Sequence, residues 1–424
     1  MAAGFGKRLL AEVHEEGLDE LLFDLGSLCP AGVEGNTSRD RLGVRQLDDL
    51  LDVFMRVPST QHLPRSQSPA QGGQSLLSDD EDTADTGDLS PLVRVARADP
   101  VVEISSSSSA AGKSQLLYYL TAVAVLPSAH EGVDLGGRDS AVVFIDADAR
   151  FDADRLRMVA RGIVQQKLEG QAVPALDLDP ILAACLRHIH VFRPQSSSSL
   201  LATLQDLDTY LFDVSRHLSS ERPLHAILID SASAFFWQDK VRDEVSRVED
   251  IGRPLAELER DRQQKQSFHV SDLYAELAKE LKLLQRRFSC AVIYTAISWS
   301  GKPIAAQHDP PHQPSGPFDL YSPPAPSAAK TPSLRPSLPS PWGTFPALRL
   351  VVQRDAVRPF PPGMTVSDAE RDAPMRHGVV MQGKFSGWVN SWGREEWPSR
   401  IVEGVERTGG MFVFYVRGHG VDIR

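Results

Sequence analysis

From Val101 onward the chain alternates two hydrophobic patterns. Short, largely apolar runs stand between longer segments in which apolar residues return every three or four positions. The runs predict strands at 101–104 (VVEI), 141–146 (AVVFID), 188–192 (HIHVF), 225–230 (HAILID) and 290–297 (CAVIYTAI). The longer segments predict helices. One covers 113–125, with Leu116, Leu117 and Leu120 on one face and Pro127 beyond its end. A second follows Asp152 as N-cap and stops at Gly170; two more cover 200–218 and 271–287. Strands that are apolar on both faces and alternate with helices belong to a mostly parallel sheet covered on both sides. The predicted class is α/β.

Outside residues 95–300, the predicted core, the patterns change. Leu9, Leu10, Val13, Leu18, Leu21 and Leu22 fall near helical spacing, so residues 1–65 read as an N-terminal helical arm, short for a domain of its own. Residues 66–94 are polar, acidic and turn-rich, and predict a disordered linker. Between Pro303 and Pro346 lie 13 of the 30 prolines, so 301–346 reads as a Pro/Ser-rich disordered insertion leaving the end of the 290–297 strand. In 347–424, short apolar runs at 348–353, 378–382, 388–392 and 411–416 predict antiparallel strands added at one sheet edge and completing the core.

Composition narrows the class only modestly. Hydrophobic residues at 42% and charged residues at 24% suit a soluble globular protein. The net charge of −11 offers no bulk attraction to nucleic acid, so any DNA contact needs a local patch. Cys29, Cys185 and Cys290 form neither a disulfide framework nor a zinc spacing, as expected of a reducing compartment. The first residues lack the apolar core of a signal peptide and no apolar run reaches membrane-spanning length, so no membrane association is expected.

The candidate chemistry starts at Gly112, Lys113 and Ser114, the end of a phosphate-binding loop G-x-x-x-x-G-K-[ST]. The predicted strand before it and helix after it are what such a loop needs. Backbone N–H groups then turn inward at a helix N-terminus, the lysine reaches the β- and γ-phosphates, and the hydroxyl ligates magnesium. Ser107 occupies the first glycine position. A left-handed backbone there would cost serine on the order of 1–2 kcal/mol. Asp230 ends the strand HAILID, where a magnesium-ordering carboxylate stands in such NTPases, although it could equally cap the next helix. Asp146 and Asp148 end the strand after the loop helix and face the same crevice. One could orient an attacking water, or both could simply stabilise a turn. His188 and His190 share one strand face without a third metal ligand in view, and Phe235, Phe236 and Trp237 read as buried helix packing rather than an interface.

The blocks VVEI…GKSQLLYYLTAVAVLP, VVFIDADARFDADRL and HAILIDSASAFFWQDK resemble the ATPase core of the RecA-type recombinases, and within it the eukaryotic recombinase paralogues and their fungal relatives, over roughly residues 95–300. The resemblance implies a RecA-like core with ATP and Mg as cofactors. It implies a nuclear subunit of homologous-recombination repair of double-strand breaks, assembled with other recombinase paralogues to support a recombinase filament on single-stranded or branched DNA. It carries the phosphate loop onto Ser107, Gly112, Lys113 and Ser114, and magnesium onto Ser114 and Asp230. Asp148 falls where active recombinases have a water-activating glutamate. The departures are Ser107, the shorter Asp148, and the absence of the γ-phosphate-sensing glutamine from YTAIS (294–298). Each weakens hydrolysis more than binding, so the expectation is ATP binding with weak or absent turnover. An ATPase active on its own with DNA and a scaffold that binds no nucleotide remain the alternatives.

Overall fold

The runs read as strands assemble one nine-stranded sheet in the computed structural model, which describes residues 42–55, 100–169, 177–254, 256–257, 259–260, 268–299, 333–355, 357 and 360–424. In chain order the strands are β1 (Val101–Ser106), β2 (Ala141–Asp146), β3 (Ile189–Phe192), β4 (Leu224–Asp230), β5 (Ala291–Ile297), β6 (Leu348–Arg354), β7 (Lys384–Val389), β8 (Met411–Arg417) and β9 (Gly420–Ile423). Their order across the sheet is β9-β8-β7-β6-β1-β5-β4-β2-β3. The pairs from β6 through β1, β5, β4 and β2 to β3 are parallel, and β6–β7, β7–β8 and β8–β9 are antiparallel. The α/β class with antiparallel edge strands therefore holds.

The helices are α1 (Arg45–Met55), α2 (Lys113–Val125), α3 (Ala153–Leu168), α4 (Leu178–Leu186), α5 (Ser197–Phe212), α6 (Phe236–Glu249), α7 (Val270–Phe288), α8 (Val366–Met381) and α9 (Ser399–Thr408). One sheet face buries Leu116 and Leu117 of α2, Leu156 and Val159 of α3, and Leu47 and Leu51 of α1 against Phe144, Leu228, Ile293 and Leu350. The other packs Leu200 and Leu204 of α5 and Leu277 and Leu281 of α7 on Ile145, Ile229 and Tyr294. Each such side chain contributes roughly 1.5–3 kcal/mol on burial. Asp152 caps α3 as expected, accepting a hydrogen bond from Arg155 N at 3.0 Å. The Arg155 guanidinium reaches the carbonyls of Arg417 (2.9 Å) and Gly418 (3.0 Å), tying the β8–β9 turn to α3.

Several expectations are corrected. β6 pairs in parallel with β1, and only its other edge is antiparallel. The run 378–382 lies in and just after α8, whose N-cap Thr365 accepts Asp368 N; a five-residue apolar run does not by itself distinguish helix from strand. The strand expected at 388–392 is β7, which ends at Val389 because Asn390 turns its amide to the backbone of Leu334. α1, within the segment read as an arm, packs on α9, with Phe54 edge-on to Trp397 at 5.5 Å. Residues 333–346, within the expected insertion, are part of the core: Leu334, Leu338 and Trp342 are buried, and the rings of Tyr274 and Tyr294 pack tilted and edge-on against Trp342. The arm before residue 42, the linker at 66–94 and residues 300–332 lie outside the described residues.

α6 inverts the expected packing. It buries Asp239, which accepts from Ser197 Oγ (2.5 Å) and Tyr274 Oη (3.1 Å), and Asp243, which accepts from Val270 N (3.0 Å). Trp237, Val241, Val245 and Val248 face outward, and Trp237 meets Trp299 at 5.3 Å instead of entering the core.

The two strand histidines also find a structural place. Ser219 Oγ lies 3.0 Å from both His188 Nδ1 and His190 Nε2, and Tyr210 Oη lies 3.0 Å from His190 Nδ1. Among the described residues no group of three or more His, Cys, Asp or Glu is placed to hold a metal. Burial, reinforced by the neighbouring His217 and His188, pushes the His190 pKa down to about 4. The folded state then binds fewer protons than the unfolded chain between about pH 4 and 6.5, so this site's stabilisation is complete above pH 6.5 and lost as pH falls through that window. The cost approaches about 3 kcal/mol at its lower end. Urea unfolding of wild type and His190→Gln across pH 4–7 is expected to show the difference between the two shrinking as pH falls. A constant difference would refute the assignment.

Candidate nucleotide site

β1 ends at Ser106, α2 begins at Lys113, and the intervening turn is exposed from Ser107 to Ala110. Two residues of this turn take left-handed backbone, Ala110 (φ 58°) and Gly112 (φ 91°); Ser107 does not. The serine at the first glycine position thus carries no left-handed cost, and about 1–2 kcal/mol of strain sits at Ala110 instead. Gly112 cannot be replaced without strain. A Cβ there would stand 2.9 Å from ring atoms of both Phe385 and Phe414, which stack at 5.1 Å beneath it.

Lys113 Nζ donates to Ser106 Oγ at 2.6 Å and reaches Ser108 O at 3.5 Å. Burial lowers its pKa, opposed by the charges of Asp230 and Asp148, so both carboxylates lie within electrostatic reach of the ammonium. Ser114 is half-buried in the first turn of α2.

Asp230 is the last residue of β4 and is buried. Along β4, Ala226 and Leu228 face the α2 side of the sheet, so Asp230 falls on that side as well. The next strand, β5, sets Thr295 beside it: Thr295 Oγ1 donates to Asp230 Oδ1 at 2.8 Å and accepts from Ser231 N at 2.6 Å. Ser231 is itself left-handed (φ 67°), and its side chain hydrogen-bonds Asp148. Partial burial raises the Asp148 pKa, the Ser231 hydrogen bond opposes that rise, and Asp230 adds to it.

The two aspartates of the IDAD turn separate. Asp146 is buried and accepts Arg150 N and Phe151 N at 2.9 Å and Arg193 Nε at 3.1 Å, so it holds the turn together. Asp148, two residues further, joins Asp230 and Lys113. The donor set suits Mg–ATP. Ser114 and Asp230 are hard oxygen ligands of the kind magnesium takes, and the loop, the α2 N-terminus and Lys113 are what polyphosphate needs. Sequence reasoning missed Ser106, Ser231 and Thr295, which become neighbours of the expected residues only through turn geometry and strand register.

No protein-family model matches the chain. It is 24% identical to the "DNA repair protein XRCC2 homolog" of Arabidopsis thaliana over 290 residues, covering 63% of this chain and 73% of the relative. It is 30% identical to the mouse "DNA repair protein XRCC2" over 175 residues, covering 41% of this chain and 55% of that protein. The "DNA repair and recombination protein RadA" of Methanocorpusculum labreanum matches at 31% over 169 residues, 38% of this chain and 42% of its own length. The chain is similar to the RecA-type recombinases over the part that these matches cover. The narrower resemblance, to the second X-ray-repair cross-complementing protein, agrees with the plant and mouse matches. The sheet and the β1–loop–α2 unit are those of a RecA-like core, and among the described residues no helix is long and apolar enough to cross a membrane.

Proposed function

We propose that this chain is a recombinase-paralogue subunit of homologous-recombination repair that binds Mg–ATP at residues 107–114 and hydrolyses it weakly or not at all. The observation that carries the reading is the site's electrostatic centre: an α2 N-terminus headed by left-handed Gly112, with the Lys113 ammonium bonded to Ser106 at the end of β1 and within reach of the carboxylates of Asp230 and Asp148. Lys113 and the loop N–H groups would hold the β- and γ-phosphates, with Ser114 and Asp230 on the metal. Bound magnesium would supply charge neutralisation on the phosphates. Asp148 would orient a water, but its carboxyl is one methylene shorter than glutamate, and YTAIS offers no glutamine to sense the γ-phosphate. Both features favour binding over turnover.

The relatives' names support the repair role; the DNA reached through a complex, the paralogue partners and the nuclear location are what the resemblance implies. The test is binding of ATP by the full chain with magnesium, followed by analysis of the bound nucleotide with and without single-stranded DNA. The expected result is bound ATP recovered largely unhydrolysed in both conditions. DNA-stimulated turnover would replace this reading with an autonomous ATPase, and no binding would leave a scaffold.

A further inference from the structure

We propose that Thr295 is the positioning residue of this site: its hydroxyl fixes the metal carboxylate Asp230 and, through Ser231, sets Asp148. The inference rests on the Mg–ATP reading above. A hydroxyl has one proton. Ser231 N, 2.6 Å away, can only donate to Thr295 Oγ1, so the hydroxyl proton goes to Asp230 Oδ1, 2.8 Å away. Asp230 Oδ1 is thus held as an acceptor in a fixed direction, and carboxylate oxygens are the hard ligands magnesium takes.

Asp230 Oδ1 is thereby occupied, and Oδ2 has no hydrogen-bond partner among the described residues. That single free oxygen is the one left for a cation. The same hydroxyl anchors the N–H of Ser231 in its left-handed conformation, from which the Ser231 side chain holds Asp148. One buried group therefore sets two carboxylates that come from different strands. Thr295 itself is fully buried, so its effect on nucleotide binding would be felt through the carboxylates it positions.

Titration of the full chain with a fluorescent N-methylanthraniloyl-ATP, in magnesium and in EDTA, tests this. Wild type is expected to bind more tightly in magnesium. Thr295→Val should leave the EDTA affinity within about twofold and cut the magnesium gain by about tenfold, equivalent to ~1.4 kcal/mol. Thr295→Ser, which restores the hydroxyl, should restore the gain. In an Asp230→Asn background, Thr295→Val should have no further effect. If the valine chain does not fold, Thr295→Cys, a much weaker donor, gives the same readout. The proposal is overturned if the magnesium gain survives in Thr295→Val, or if affinity falls equally in EDTA, as for a merely structural residue. A wild type that binds the probe without any gain from magnesium removes the metal role of Asp230 and this inference with it. A wild type that does not bind the probe at all instead overturns the nucleotide reading on which it rests.

Discussion

Lys113→Ala is expected to weaken ATP binding by at least about a hundredfold while leaving the empty protein as stable as wild type or slightly more so. The binding loss follows from two charge-assisted hydrogen bonds to phosphate, each worth roughly 1.5–3 kcal/mol. The stability side follows from the direction of the Lys113 pKa. Burial lowers it, more than Asp230 and Asp148 raise it, so the folded state binds this proton less readily than the unfolded chain. Stability from this site therefore rises with pH, from the lowered pKa up to the ordinary value of 10.5, and at neutral pH the buried ammonium is a net cost. Alanine removes that cost. Nucleotide titration gives the first quantity, and melting without nucleotide at pH 7 and pH 9.5 gives the second. Undiminished affinity, or a variant destabilised at both pH values, would contradict the assignment.

The second large effect lies far from the loop. Trp342→Ala is expected to cost about 3–5 kcal/mol, read as a lower urea midpoint at unchanged slope. The indole is fully buried, edge-on to Tyr294 at 5.7 Å and against Tyr274 at 5.9 Å. Tyr294 donates to Glu103, and Glu103 pairs with Arg349, so the ring covers a buried polar group that joins three strands. Burial raises the Glu103 pKa, opposed first by Arg349. A change below about 0.5 kcal/mol, the range of an ordinary surface position, would mean that residues 333–346 do not belong to the core.

That segment shows where sequence patterns fail. Leu334, Leu338 and Trp342 recur every four residues, but five prolines between 332 and 346 hide the pattern behind the composition of a disordered stretch. β1, β2, β4 and β5 were legible because both their faces are buried, which leaves runs that are apolar at most positions. α6 was misread for the opposite reason: its core-facing positions are aspartates whose partners, Ser197, Tyr274 and Val270, lie 27 to 42 residues away along the chain. At the site, Gly112, Lys113, Ser114 and Asp230 were open to proposal from the sequence because each sits at an end of an element, where one dimension of information suffices. Thr295 was not. Its significance lies in being the β5 residue beside Asp230, and strand register is a property of two segments rather than one.

The floor beneath Gly112 has a consequence for synthesis. Phe385 and Phe414 lie some 270 to 300 residues after the loop they support, and Arg155 binds carbonyls 262 and 263 residues downstream. A chain emerging N-terminus first exposes the loop long before either ring leaves the ribosome. Closure over such separations is entropically slow, so the loop is among the last parts to reach its final geometry although it is encoded near the start. A message that ends prematurely after β5 would yield the loop's residues without a formed loop, and such a fragment could not sequester nucleotide or compete with the finished protein for it.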